Sequence, residues 1–382
     1  MKTQLGNHIN LYGGGTPSKE VESYWNGEIP WASVKDLKEE NFIFPTDRIT
    51  EAGVKNSATR IVPKGSLIIA TRMAVGKVAF ASDDMAINQD LKVIEPQKEL
   101  DRKYLFYFLK ANDAYFQGVS SGATVKGIKI KHINSLELTL PPLSTQKKIA
   151  AILDAADAHR QKTRQLLAKY DALAQSIFLE MFGDPVTNPK GWEIVKFSEV
   201  GKLDRGKSKH RPRNATELLG GIHPLIQTGD VANSGGYIKN YTSTYSDLGL
   251  RQSKMWPKGT LCITIAANIA KTGILKFDAC FPDSVVGFIP NKKTNNEYVQ
   301  GWMKFLQKII EDSAPESAQK NINLKILRDL DFMVPRIEFQ KKYSAAINSI
   351  ECQKDIILSE LEESESLFNS LLQKAFKGEL VK

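Results

Sequence analysis

The sequence predicts a duplicated chain: globular domain, long helix, globular domain, long helix. Three observations carry this. Two segments, Ser144 to Phe182 and Ile337 to Lys377, contain neither glycine nor proline. Both carry apolar residues at three- and four-residue steps. The first half of the chain also repeats in the second, at a shift of 194 residues.

The expected boundaries are a first globular domain at 1–143, a first helix at 144–183, a second globular domain at 184–335 and a second helix at 336–382. The 382 residues are too many for one core of ordinary size. With 42% hydrophobic and 25% charged residues, the composition is that of a folded soluble protein. The longest apolar run without a charge, Leu261 to Ala270, is far short of a membrane span, and the N-terminus lacks the apolar core of a signal peptide. Cys262, Cys280 and Cys352 lie far apart with no CxxC pair, and the five histidines show no ligand spacing. A reduced, cytoplasmic protein without a zinc site is expected.

The first helix is bracketed by Pro141-Pro142 and Gly183, the second by Pro335 and Gly378. Apolar steps give a seam of Ile149, Ile152, Ala156, Leu166, Tyr170, Leu173 and Ile177 on the first. On the second they give Ala346, Ile350, Ile357, Leu361, Phe368 and Leu371. Each helix would be roughly 60 Å long. That exceeds one globular core, so a paired coiled coil is expected.

The repeat ties the domains together. "KYLFYFLKANDAYFQGVSSGATVKGIKIKHINSLELTLPPLSTQKK" aligns with "EYVQGWMKFLQKIIEDSAPESAQKNINLKILRDLDFMVPRIEFQKK", placing Tyr104 on Tyr298, Lys126 on Lys320 and Gln146 on Gln340. Upstream, "IPWASVKDL" answers "HPLIQTGDV" and "VPKGSLIIA" answers "WPKGTLCIT".

Within the second copy, Gly201 to Ser208 matches a phosphate-binding loop, with Gly206-Lys207-Ser208 at its end. The first copy has Gly13-Gly14-Gly15-Thr16 there and no lysine. A phosphate loop also needs a helix opening directly after Lys-Ser. Pro212 and its charged neighbours argue against one. A basic, glycine-containing loop placed alike in both copies suits another polyanion, DNA. A triphosphatase would instead bind nucleotide and lose it on Lys207→Ala.

Charge supports DNA. The net charge is +9. The first long helix has six Lys/Arg and four Asp/Glu, the second five and seven, so the helices cancel and the excess lies outside them. Basic residues cluster there in loops: Lys207, Lys209, His210, Arg211 and Arg213; Lys126, Lys129 and Lys131; Arg72 with Lys77. Phosphate contacts need such side chains on exposed backbone, and base reading needs Arg, Lys, Asn and Gln at groove depth. No amino-methylation tetrapeptide, nuclease metal motif or GxGxxG occurs, which agrees with a binding architecture.

The chain resembles the specificity subunits of type I restriction–modification systems. The residues that carry the resemblance are "GGGTPSKEVESYWNGEIPWASVKDL" (13–37), "INQDL" (87–91), "LPPLSTQKKIAAILDAADAHRQK" (140–162), "GKSKHRPRN", "HPLIQTGDV" and "VPRIEFQKK" (334–342). They span essentially the whole chain. The resemblance implies two target recognition domains of α/β type and two long helices that pair antiparallel, related by a pseudo-twofold repeat. Each domain would read one half of a split double-stranded DNA target. The helices would act as spacer and docking surface for two modification subunits, with restriction subunits joining. S-adenosylmethionine, ATP and Mg are then expected in the partner subunits, none in this chain, which would be non-catalytic and without membrane contact.

Within these boxes and their counterparts, further candidate DNA contacts are Thr16, Lys19, Lys35, Asn88, Gln89, Gln227, Asn268, Lys271 and Lys320. The second domain lacks the "INQD" box and reads "FPDSVVGF" (281–288), and it has "IAANIAKTG" where the first has "ATRMAVG". Different half-sites and an asymmetric target follow. A rod of about 60 Å would set them at most roughly 17 base pairs apart. The alternative is a stand-alone two-headed DNA-binding adaptor with no partner enzyme.

Overall fold

Both halves of the chain build the same three sheets. The computed structural model describes residues 2–38, 41–122, 125–210, 212–266, 269–312 and 322–381. The first half has strands β1 (Lys2–Gln4), β2 (Ile9–Gly13), β3 (Trp25–Ala32), β4 (Phe42–Ile43), β5 (Asp47–Ile49), β6 (Arg60–Val62), β7 (Leu67–Ala70), β8 (Val78–Ala81), β9 (Met85–Ile87), β10 (Leu91–Pro96) and β11 (Glu137–Thr139). Its helices are α1 (Glu51–Lys55), α2 (Arg102–Ala111), α3 (Asp113–Val119), α4 (Ile130–Asn134) and the long α5 (Leu143–Phe182). The second half has β12 (Glu193–Lys196), β13 (Gly201–Arg205), β14 (Leu219–Leu225), β15 (Tyr237–Ile238), β16 (Ser243–Tyr245), β17 (Met255–Trp256), β18 (Leu261–Thr264), β19 (Thr272–Leu275), β20 (Ala279–Cys280), β21 (Val285–Pro290) and β22 (Asp331–Val334). Its helices are α6 (Thr228–Ala232), α7 (Asp247–Arg251), α8 (Asn296–Asp312), α9 (Leu324–Arg328) and the long α10 (Ile337–Lys377).

The five-stranded sheets run β2-β10-β7-β8-β4 and β13-β21-β18-β19-β15. The four-stranded sheets run β5-β3-β9-β6 and β16-β14-β20-β17, and the pairs are β1-β11 and β12-β22. Even the parallel pairings match, β3 with β9 and β14 with β20. The central strands β7 and β18 are buried at every residue, as a strand covered on both faces must be. Each is launched by the same Pro-Lys-Gly turn. Gly65 and Gly259 take φ of +77° and +86°, which a side chain would strain. The amides of Lys64 and Lys258 both donate to an aspartate Oδ1, Asp84 at 2.8 Å and Asp278 at 2.7 Å.

The chain divides into two units, Met1–Leu166 with Ile357–Lys382 and Leu167–Ile356. Each therefore holds one globular repeat and half of each long helix. In the first unit, Tyr104, Tyr107 and Phe108 of α2 share one core with Ile149 and Leu153 of α5 and Phe368, Leu372 and Ala375 of α10. In the second, Tyr298 and Trp302 of α8 share a core with Phe178, Phe182, Tyr343 and Ile347. Two glutamines anchor the helix starts in the same way. Gln146 is fully buried and its amide donates to the carbonyls of Glu99 and Pro141. Gln340, also fully buried, donates to Lys293 and Pro335. Gly183 and Gly378, both at φ +80°, end the two helices with the left-handed residue such ends favour.

Within each unit the helices run antiparallel. Arg160 and Arg164 meet Glu365 at 2.7 and 2.5 Å in the first unit, and in the second Asp171 meets Lys354 at 2.9 Å. The seam differs from the apolar row read in the sequence. Ile152, Leu166 and Leu173 are exposed, at 38%, 40% and 45%. The buried row on α5 instead takes in Asp157, Arg160 and Thr163, opposite Ser364 of α10. Ion pairs and hydrogen bonds hold all three α5 side chains, leaving Arg160 Nε without a partner among the described residues, so they occupy a seam that apolar spacing alone assigns elsewhere. Ile149, Ile350, Ile357 and Phe368 lie buried on the packed faces, with Ala156, Tyr170, Ile177, Ala346, Leu361 and Leu371 half-buried beside them.

Candidate nucleic-acid interface

In the first unit four loops converge. The Thr16 hydroxyl donates to Gln89 Oε1 at 2.6 Å, joining the chain after β2 to the β9–β10 loop. Arg72, in the β7–β8 turn, lies 3.7 Å from Asp90 and bridges to Gly127. The Met73 amide donates to the Lys126 carbonyl at 3.0 Å, and Ile128 donates to Thr71 at 2.9 Å, which brings Lys129 to the same place. Thr16, Arg72, Gln89, Lys126 and Lys129 are thus neighbours, and the three cations are exposed. Lys77 is exposed at the other end of the β7–β8 turn, and Lys19 is exposed after β2.

Two candidates have structural duties. Asn88 is only 6% exposed. Its Oδ1 accepts from the amides of Asp90 at 3.1 Å and Leu91 at 3.2 Å, so it shapes the loop and does not reach out of it. Lys35 is ion-paired to Asp47 at 2.7 Å.

In the second unit the loop after β13 answers the question its sequence poses. Residues 206–209 form neither helix nor strand, and the next helical residues are a single turn at Thr216–Leu218. The amide of Gly206 donates to Val285 and that of Lys207 to Phe281. Those of Lys209 and His210 both donate to Gln252 Oε1. The amides that would cradle a nucleotide phosphate are consumed by the protein itself. The glycine serves close packing: a Cβ on Gly206 would stand 2.2 Å from the Phe281 carbonyl oxygen, and one on Gly14 1.8 Å from that of Ile87. Gly15 and Lys207 make the same amide bond in the two copies, to Ile87 and to Phe281.

What this loop offers is exposed positive charge. Lys207, Lys209 and His210 are exposed, and Arg213 pairs with Asp283 at 2.5 Å. Arg213 and Gln227 line one cavity of about 250 Å³ together with Ser208, Tyr245 and Ser284. Lys271 is half-buried elsewhere in the unit. Arg211, Asn268 and Lys320 lie outside the described residues. Sequence reasoning passed over Met73, which is 68% exposed at φ +62° beside Arg72; the break in apolar pattern at "TRMAVG" was its only signal. It also passed over Lys110 and Lys304, which the 194-residue shift superposes.

Among the described residues no group of His, Cys, Asp and Glu could hold a metal ion, and no helix is long and apolar enough to cross a membrane. Cys262 and Cys280 are buried and unbridged, and burial pushes both thiols up.

The family model described as the type I restriction modification DNA specificity domain matches residues 2–169 and 189–364. The chain belongs to this family. Each match takes in one of the globular repeats described above. The specificity family's relatives include the specificity subunit of the type I restriction enzyme MjaIX from Methanocaldococcus jannaschii, 31% identical over 51% of this chain and 50% of that one. The specificity subunit of EcoR124I/EcoR124II from Escherichia coli is 33% identical over 40% of each chain. The chain thus spans half or less of the length of these two relatives. Among solved structures, a type I restriction–modification S subunit from M. genitalium covers 98% of this chain and 96% of its own, at 16% identity and a TM-score of 0.60. That likeness shows the specificity-family fold.

Proposed function

We propose that this chain is the DNA-specificity subunit of a type I restriction–modification complex. The observation that carries the reading is the duplicated family domain. Each copy presents exposed cations beside polar side chains on its loops, Arg72, Lys126 and Gln89 in one and Lys207, Lys209 and Gln227 in the other, carried by different loops of the repeat. Cations fix a protein on the phosphate backbone, and amides such as those of Gln89 and Gln227 suit base edges. Each unit reads one half of a split target. The loops differ, Thr16–Gln89 in one against Arg213–Asp283 in the other, so the halves differ and the target is asymmetric.

The long helices serve as spacer and as docking surface for two modification subunits, and restriction subunits join the assembly. The exposed Ile152, Leu166 and Leu173 on α5 are apolar surface available for such docking. S-adenosylmethionine, ATP and Mg belong to the partners in this reading, and this chain contributes recognition without catalysis. Co-purified with its modification subunits, it should select from random duplexes two short, unlike motifs at a fixed gap. Enrichment of one continuous motif, or of none, would overturn the proposal.

A further inference from the structure

The two units contain a cavity in the same place. In the first it lies between the β7–β8 turn, α2 and α5, measures about 280 Å³ and is lined by the cations Lys38, Lys77, Lys110 and Arg164 and one carboxylate, Asp113. In the second it lies between the β18–β19 turn, α8 and α5, measures about 340 Å³ and is lined by Lys271, Lys304 and one carboxylate, Asp171, which is itself paired with Lys354. Gly76 and Ala270, Lys77 and Lys271, and Lys110 and Lys304 are repeat partners at the 194-residue shift. Both cavities thus carry a lysine pair at matched positions, one from the turn and one from the helix that packs on the long helix.

The charges point into these spaces without being spent. Among the described residues, the ammonium groups of Lys38, Lys77, Lys271 and Lys304 have no hydrogen-bond or ion-pair partner. Lys110 donates to Asn41 at 2.8 Å, and Asp157 lies 3.9 Å away. In each lining the cations outnumber the single carboxylate, and that excess of positive charge favours an anion from outside.

The β7–β8 turn also decides which anion. Arg72 at one end belongs to the candidate interface, and Lys77 at the other opens onto the cavity. The residues between can span at most about 20 Å, roughly the width of a duplex. A duplex held at Arg72 therefore brings its own backbone within reach of Lys77. We propose that the twin cavities are phosphate pockets, each taking a DNA backbone phosphate beside the half-site its unit reads. They are sequence-independent clamps. This rests on the DNA-reading function proposed above.

The test uses the full chain with its modification subunits, a duplex carrying the selected target, and a duplex of unrelated sequence. Binding is measured from 50 to 200 mM salt for the wild type, Lys77→Gln, Lys271→Gln and the double variant. The lysines replaced have no side-chain partner in the fold, and circular dichroism checks that each variant is folded. Each phosphate no longer held should flatten the salt slope by about 0.9, so that the fourfold salt increase weakens the variant about 3.5-fold less than the wild type. The double variant should show twice the change in slope. Target and unrelated duplex should weaken by the same factor, with the selected motifs unaltered. Slopes equal to wild type in all three folded variants would overturn the pockets, as would a change in the motifs or loss of modification-subunit binding at an unchanged DNA slope. A wild type without salt-dependent DNA binding would instead defeat the functional reading itself.

Discussion

Replacing Asp157 tests the polar middle of the helix seam. Its carboxylate is 1% exposed and has three partners in the first unit: the Arg160 guanidinium, the Asn41 amide and, at 3.9 Å, the Lys110 ammonium. Arg160 also stacks over Phe368 at 4.2 Å. Asp157→Ala leaves two buried cations facing each other with only Glu365 near Arg160. Removing one partner of a buried ionic network costs about 3–5 kcal/mol. Replacing the pair by apolar residues of similar volume, Asp157→Leu with Arg160→Met, should recover part of that loss, because the buried guanidinium goes with its carboxylate and Lys110 keeps its bond to Asn41. Hydrogen exchange read on peptides from 143–166 localises the effect to α5. At about 1.4 kcal/mol per tenfold, Asp157→Ala should lower protection there by about two to four decades. A loss below one decade, or a double variant no better than the single, would refute the claim that this network holds the seam.

Further outcomes follow from the loops, the helix and Lys110. Lys207→Ala with Lys209→Ala should flatten the salt dependence of DNA binding by about one unit of slope for each phosphate released and leave any nucleotide affinity unaltered; calorimetry and a salt titration check both. Four residues inserted after Ala168 lengthen α5 by about 6 Å. With α5 as spacer, sequencing of methylated sites should show both half-sites retained and the gap changed by one or two base pairs. Burial pulls the Lys110 ammonium down from 10.5 to about 8. The unfolded chain therefore binds more protons between pH 8 and 10.5, and the cost of burying this charge, full below pH 8, is relieved as pH rises through that window. Lys110→Met should gain on the wild type at pH 7, and denaturant melts should show that advantage shrinking by about 1–3 kcal/mol by pH 10.

Much of the fold was legible because punctuation and repetition survive in sequence. Leu143–Phe182 and Ile337–Lys377 emerge as helices where proline and glycine leave off, and Gly183 and Gly378 stop them. The 194-residue shift became sheets with the same strand order. The seam was less legible. Ile152, Leu166 and Leu173 fit the apolar period, but Asp157, Arg160 and Thr163 fill it, since burial of a polar side chain is decided by partners distant in sequence. Asn41 and Glu365 lie more than a hundred residues from the groups they satisfy. The same limit applies to the loops. "INQD" marks a functional-looking box, yet Asn88 turns inward to hold two amides while Gln89 faces out. Lys207 completes a phosphate-loop pattern whose amides are already bonded. Letters and spacing show that a loop is polar; only its hydrogen bonds show which side chains remain available.

The central claim, that this chain chooses the DNA sequence and does so one half per unit, meets its most direct test in the methylated adenines of three cell lines. One carries the chain, one lacks it, and one carries it with residues 13–140 exchanged for those of a relative. The account predicts a single split motif in the first and its absence from the second. In the third, one half of the motif should be new while the other half and the gap persist. The same methylated motif in all three, or both halves changed by the one exchange, would contradict it.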